Sequence, residues 1–203
     1  MEEGFQKAKG RNKILIQKRL GEVEIEQIKK HKNCPEIGLW HIKNRNLDFL
    51  ESLPKLKSVE LYGVHTYNFD ALAKIDTLES LFLNAIKNHE DLSFINQLSQ
   101  IIELDLLYLP KLEKFPDLGN CKNLKRLRIW QCKRLTDIQS LTLIPNLEEF
   151  EIVDTPQAPD DLEFLIKAPN IKYVSGQFGG IKKNNLFEEL LKKHGKEKYG
   201  STT

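Results

Sequence analysis

The sequence predicts an α/β solenoid, with short parallel strands stacked into a curved sheet on one face and short helical turns on the other. Two observations predict it. An apolar frame at positions 1, 4, 6 and 9 recurs every 22 to 24 residues, and an apolar triplet at spacing three follows each frame. The frame reads Cys34, Ile37, Leu39, Ile42, then Leu56, Val59, Leu61, Val64, then Leu78, Leu81, Leu83, Ile86. It continues as Ile101, Leu104, Leu106, Leu109, then Leu124, Leu127, Ile129, Cys132, then Leu147, Phe150, Ile152, Thr155. Of these 24 positions 23 are apolar in a chain that is 40% hydrophobic, so composition does not produce the pattern. A period of this length marks units that cannot bury their apolar face alone and must stack on one another.

Each part of the unit follows from its spacing. Alternating apolar positions 4 and 6 suit a short strand with one face buried. The triplets are Leu47, Leu50, Leu53; Phe69, Leu72, Ile75; Leu92, Ile95, Leu98; Phe115, Leu118, Cys121; Ile138, Leu141, Ile144; and Leu162, Leu165, Ala168. Spacing three suits a helical or 3₁₀ turn with one buried edge. Asn46, Asn68, Asp91, Asp137 and Asp160 lie just ahead of five of these segments, where a side-chain oxygen caps a helix start. Each unit therefore reads strand, loop, helical turn, loop.

Over roughly residues 12 to 176 the chain resembles the leucine-rich repeat family, on the frames just given. The stretch Leu124 to Leu141, LKRLRIWQCKRLTDIQSL, is the best match and resembles the irregular repeats of receptor and internalin type. The resemblance implies a leucine-rich-repeat solenoid, with a curved parallel β-sheet on the concave face, short helices or 3₁₀ turns on the convex face, and N- and C-terminal caps. The family usually carries Asn or Cys at position 9, hydrogen-bonded to the bend after the strand. Here only Cys132 fits, which implies looser loops.

Three parts are expected: a basic N-terminal cap with a degenerate repeat over 1–33, the repeats over 34–176, and a loop, capping helix and disordered tail over 177–203. Counting back 22 residues from Cys34 gives a worn first frame, Asn12, Leu15, Gln17, Leu20, with the triplet Ile25, Ile28, His31. A competing expectation is a hairpin of Ile14–Gln17 with Glu22–Glu26. At the other end, Ile171 and Val174 begin a last strand interrupted by Gly176, Gly179 and Gly180. A helix from Asn184 or Asn185 through His194 would seal it with Leu186, Phe187, Leu190 and Leu191.

At 203 residues, one domain is expected. Net charge is +2, unevenly spread. Residues 1–33 hold nine Lys/Arg against five Asp/Glu, 181–203 hold six against three, and the middle holds 16 against 21. Basic side chains collected on the ends rather than on the repeats argue against nucleic acid as the partner; in that alternative, Lys7, Lys9, Arg11, Lys13, Lys18 and Arg19 would supply phosphate contacts. Cys34, Cys121 and Cys132 all fall on apolar positions and read as small buried hydrophobes, which implies reduced thiols and a cytoplasmic location. The N-terminus lacks the apolar core of a secretory signal, and no run of 18 apolar residues suggests a membrane span.

Chemistry is hard to place. His31, Cys34 and His41 lack a fourth zinc ligand nearby. There is no GxSxG elbow and no GxxxxGK[ST] loop, and GQFGG at 176–180 reads as a turn. Asp160 and Asp161 suit a helix start. No catalytic residue, cofactor or metal is expected, and the chain reads as a non-enzyme.

The outward strand positions point instead to binding. Position 7 reads Lys18, Trp40, Tyr62, Asn84, Leu107, Trp130, Val153, Gln177, and position 5 reads Ile16, Gly38, Glu60, Phe82, Asp105, Arg128, Glu151, Ser175. Position 8 adds His41, Gly63, Ala85, Tyr108, Gln131, Asp154 and Phe178. Charges are banded, with Glu60, Glu79, Glu103 and Asp105 followed by Lys125, Arg126 and Arg128, then Glu148, Glu149, Glu151 and Asp154. Exposed aromatic residues and arginines are the groups that dominate interface energy. The expected protein-binding residues are Trp40, Tyr62, Phe82, Asp105, Leu107, Tyr108, Arg126, Arg128, Trp130, Glu151 and Val153. The alternative for the aromatic residues is cross-strand pairing that merely stabilises the sheet. The expected function is a protein-interaction module acting as a monomer or weak homodimer, or more sharply an immunity or inhibitor protein.

Overall fold

The computed structural model describes residues 4–7 and 12–198. The chain forms one open nine-stranded sheet whose strand order follows the sequence. The strands are β1 (Gly4–Lys7), β2 (Lys13–Gln17), β3 (Glu36–Trp40), β4 (Ser58–Tyr62), β5 (Ser80–Asn84), β6 (Glu103–Leu107), β7 (Arg126–Trp130), β8 (Glu149–Val153) and β9 (Tyr173–Gln177). β2 to β9 are parallel and in register, and β1 lies antiparallel on β2. Helical turns return each unit to the next strand: α1 (Glu22–Lys29), 3₁₀ turns at Asp48–Ser52, Ser93–Gln97, Gln139–Leu143 and Pro159–Leu162, α2 (Asp70–Ala73) and α3 (Glu163–Ile166). The last helix is α4 (Ile181–Lys193). This is the leucine-rich-repeat solenoid architecture.

The frame and the triplets form one continuous core between sheet and turns. Positions 4 and 6 are fully buried in every parallel strand from β2 to β8. Stacking builds this core because each strand borrows one wall from the unit before and one from the unit after.

The strand ends share one device. Lys18, His41, Ala85, Tyr108, Gln131 and Asp154, all at position 8, have φ between 48° and 59°, and Gly63 at the same position has φ 61°. These six are all the positive-φ non-glycine residues among the described ones. The left-handed turn sends the position 9 side chain back into the core, and the position 8 N–H donates to the position 7 carbonyl of the following strand, as from His41 to Tyr62 at 2.7 Å. None of the position 8 residues is β-branched, the class that tolerates this conformation least.

Polar groups at position 11 take over the work expected at position 9. Thr66 Oγ1 donates to the carbonyl of Arg45 at 3.2 Å or that of Asn68 at 3.0 Å. Asn88 donates to Thr66, and buried Gln157 donates to Leu135 at 2.6 Å. A second row stands just before the strands, where Asn123, Asn146 and Asn170 each donate to a carbonyl of the preceding unit.

Several expectations need correction. The first frame is slipped by one residue: Ile14 and Ile16, not Leu15 and Gln17, lie opposite Ile37 and Leu39. A slip of one reverses every side chain, and only this register buries both isoleucines. Outward position 5 is therefore Leu15 rather than Ile16, and position 7 is Gln17 rather than Lys18. The hairpin of 14–17 with 22–26 does not form, because Glu22–Lys29 is helical. Phe115, Leu118 and Cys121 are buried, but no helical turn forms there. Pro116 disfavours the helical region for Phe115 and has no N–H of its own to donate. Asn46, Asp91 and Asp137 each accept a backbone N–H two residues on, whereas the 3₁₀ turn at Pro159 is closed by Asp161 rather than Asp160.

At the C-terminal end α4 begins at Ile181, and Leu186 points outward while Phe187, Leu190 and Leu191 are buried. Residues 196 and 197 are tied back onto the last repeat rather than disordered: Glu197 bridges Tyr173, and Lys196 donates to the carbonyl of Ala168 or Ile171. The rest of the expected tail lies outside the described residues.

Candidate functional site

The parallel register lays positions 3, 5 and 7 of β2 to β9 out as three rows on the sheet face away from the turns. None of Trp40, Tyr62 and Trp130 is in the leucine core; all three are half-buried on this outer side of the sheet. Phe82 is also half-buried, and Tyr108 is exposed at the strand end. Leu107 and Val153 flank Trp130 in the position 7 row, at direct partner positions.

The candidate residues fall into two clusters. In the first, the Trp40 and Tyr62 rings meet edge to face at 6.2 Å, and His41 meets Tyr62 at 4.5 Å. Cross-strand pairing is therefore real for Trp40 and Tyr62. In the second, Arg126 on β7 bridges Glu103 on β6 at 2.8 Å and Glu149 on β8 at 2.6 Å. Arg128 grips both carboxylate oxygens of Asp105, which is buried. Bidentate pairing of this kind fixes both side chains.

Glu151 completes the second cluster. Burial pushes its carboxyl above the ordinary carboxylate range, against the opposing pull of the Arg128 charge and the Trp130 N–H and with a further push from Asp105. The Trp130 indole N–H is buried and closes no hydrogen bond of normal geometry among the described residues, yet it lies near enough to favour ionised Glu151. A cation or acceptor brought to this spot would meet groups that the fold leaves incompletely matched.

The outward positions of β2 to β9 carry six carboxylates (Glu36, Glu60, Glu103, Asp105, Glu149, Glu151) and three cations (Lys13, Arg126, Arg128). Lys13 and Glu60 pair at 2.5 Å. Phe178, expected on the open position 8 column, is instead buried against Phe187 at 4.9 Å. Glu79 and Glu148 stand at the near end of the strands, bonded to Lys57 and Lys172.

Beyond position 8 the strand ends form a rim that the strand frame did not single out. A depression of about 560 Å³ lies there between His41, Tyr62, His65, Lys87 and Tyr108. It adjoins a second of about 440 Å³ between Lys43, Arg45, His65 and Tyr67. The available signal was position 10, which reads Lys43, His65, Lys87 in three successive units.

No cluster of three or more His, Cys, Asp or Glu side chains suited to a metal ion occurs among the described residues. Cys34, Cys121 and Cys132 are free and buried. Among the described residues, no helix is long and apolar enough to cross a membrane.

No protein-family model matches the chain, and no curated protein matches its sequence. Among solved structures it is similar to an internalin from Listeria monocytogenes, with a TM-score of 0.54 and 17% identity. The match covers 85% of this chain and 57% of the internalin, so this chain spans little more than half that protein's length. At that identity the likeness is one of fold: a leucine-rich-repeat-like solenoid.

Proposed function

We propose that this protein is a non-enzymatic interaction module that seats a protein partner on the concave face of its sheet. One observation carries this: Trp40, Tyr62, Phe82, Tyr108 and Trp130 stand on that face or its edge, outside the core. Rings held partly open to water are costly unless something covers them, and they are the residues that anchor interfaces. Asp105, Arg128 and Glu151 form a row of fixed charge beside the Trp130 row, with Arg126 in the row beyond, which suits selection of one surface over others. Leu107 and Val153 extend the apolar floor.

The sharper form is an inhibitor or immunity protein. Eight parallel strands in one unbroken register make a preformed surface, and preorganisation favours tight binding. Binding of nucleic acid through the ends is less well supported, since Lys13 is committed to Glu60 and Arg19 to Glu24. Lys9 and Arg11 lie outside the described residues. Three unpaired buried thiols support a cytoplasmic place of work.

The test is capture from native lysate on the immobilised parent and on Trp130→Ala, with a convex-face control, Leu143→Ala. The partner retained at high salt is identified and titrated. Trp130→Ala is expected to weaken binding by about 2 kcal/mol or more, as at interface hot spots. Equal affinities would remove Trp130 as an anchor, and a parent that only self-associates in light scattering would replace the partner with a second copy.

A further inference from the structure

The rim along the ends of β3, β4 and β5 carries charge left unbalanced among the described residues. Positions 8 to 12 of these units read HIKNR, GVHTY and AIKNH. They hold Lys43, Arg45, Lys87 and three histidines, and no Asp or Glu. Among the described residues, none of the three cations forms an ion pair or donates a side-chain hydrogen bond. The next units differ: Lys111 pairs with Glu90 at 3.5 Å, Lys133 with Asp154 and Arg134 with Glu113.

The unbalanced groups are also close together. Lys43 and His65 are bridge partners in adjacent rows, and Lys87 holds the same position one row further. Rows of a sheet are about 4.8 Å apart, so Lys43 and Lys87 stand on either side of His65 within roughly 10 Å. Both rim depressions share His65. Tyr67 at 81% exposure and Tyr108 at 45% stand beside them, and the His41 ring is fixed against Tyr62. His89 is not available, because it is turned onto Phe69 at 4.4 Å.

We propose that this rim is a second binding site, a groove that recognises an acidic polypeptide segment through Lys43, Arg45 and Lys87. Asp or Glu side chains of the segment would supply the missing counter-charge, and its backbone would lie along the tyrosine rings. The span of about 10 Å matches three residues of extended chain at about 3.3 Å each. A nucleic acid fits less well. Its phosphates would need a longer basic track, and Glu36 and Glu60 on β3 and β4 lie on the adjoining sheet face. The groove adjoins the concave face and shares Tyr62 and Tyr108 with it, but its cations are its own, and its test needs no natural partner.

The probe is a fluorescein-labelled hexaglutamate peptide, titrated with the full chain at low ionic strength and read by anisotropy. The parent is expected to bind. Lys43→Glu with Lys87→Glu is expected to weaken binding at least tenfold, and Lys133→Glu, which alters a cation already balanced, less than twofold. Arg45→Gln is a milder variant expected to lose threefold or more should the double variant fold poorly. Trp130→Ala should bind the peptide as the parent does, so the two proposals fail separately. Absence of binding to the parent, a double variant within twofold of it, or an oligothymidylate of equal charge binding as tightly would overturn the proposal.

Discussion

Lys13 on β2 and Glu60 on β4 meet at 2.5 Å across β3, which sets Glu36 beside Lys13 and the bare Gly38 beside Glu60. A Cβ on Gly38 would sit 3.0 Å from Leu15 Cδ1, 3.3 Å from Trp40 Nε1 and 3.5 Å from Glu60 Oε2. This glycine serves close approach and lets the first parallel strand be tied to the third. A double-mutant cycle of Lys13→Ala and Glu60→Ala should give a coupling of about 1 kcal/mol in urea unfolding, the upper range for a partly exposed pair. In a Gly38→Leu background that coupling should vanish; its persistence would mean the gap is not needed.

Gly176 and Phe178 trade places in the core. Gly176 occupies position 6, opposite Ile152, and a Cβ there would lie 2.6 Å from Phe178 Cε2 and 3.2 Å from Phe187 Cζ. Phe178 folds back to fill the space that a position 6 side chain fills elsewhere. Gly176→Ala should destabilise the parent by about 1–3 kcal/mol through overpacking. In a Phe178→Ala background the same change should be neutral or stabilising. A penalty of equal size in both backgrounds would show that the ring is not its cause.

Acid should loosen the C-terminal cap locally. Lys167 first, then His194 and Lys193, hold the Glu163 carboxyl down to about 2, from an ordinary value of 4.5. A depressed carboxyl contributes stability that is present above its unfolded value and lost as pH falls through its folded one. Protection of the α4 amides, read by mass spectrometry against the unstructured-peptide exchange rate at each pH, should therefore fall between pH 4.5 and pH 2. Glu163→Gln should flatten that window, and high salt should weaken the effect because the cluster is exposed. Glu151 acts with the opposite sign, since its raised carboxyl favours the fold as pH falls. Following α4 alone separates the two. Unchanged acid sensitivity in Glu163→Gln would refute the clamp.

The thiols should be inert in the native state. Burial pushes Cys121 up to about 12 and Cys132 up to about 11, so neither is a thiolate near neutral pH. Cys121 also donates to the carbonyl of Ile95 at 3.2 Å. Iodoacetamide should label neither native residue within the lifetime of folded protein, and all three cysteines after denaturation. Rapid native labelling of Cys132 would mean that the centre of the stack opens.

The repeating apolar frame was legible because burial here has a strict period. Positions 4 and 6 must face the turns in each unit, so Leu104 and Leu106 announce the strand of β6 without reference to anything distant. The first unit was harder. Lys13–Gln17 holds three apolar residues in a row, and one residue of slip leaves a plausible pattern; only pairing with Ile37 and Leu39 selects Ile14 and Ile16. The missing turn at Phe115 was signalled by Pro116, while the spacing of three pointed the other way. The candidate face was legible as three rows of residue types. That Asp105 is buried by Arg128 and that Trp40 leans on Tyr62 was not, because both depend on side chains from different units.

Local periodicity alone determined that this chain stacks strands beside strands and leaves tryptophan, tyrosine and arginine on the open side. An apolar frame of fixed length admits one way to hide its leucines. The tertiary structure decided which outward groups are spent on one another and which remain unpaired. Arg126 between two glutamates and Lys43 beside His65 are alike in sequence, as basic side chains at the repeats. They differ only in what the neighbouring units bring within reach, and Coulomb attraction at a few ångströms depends on that distance.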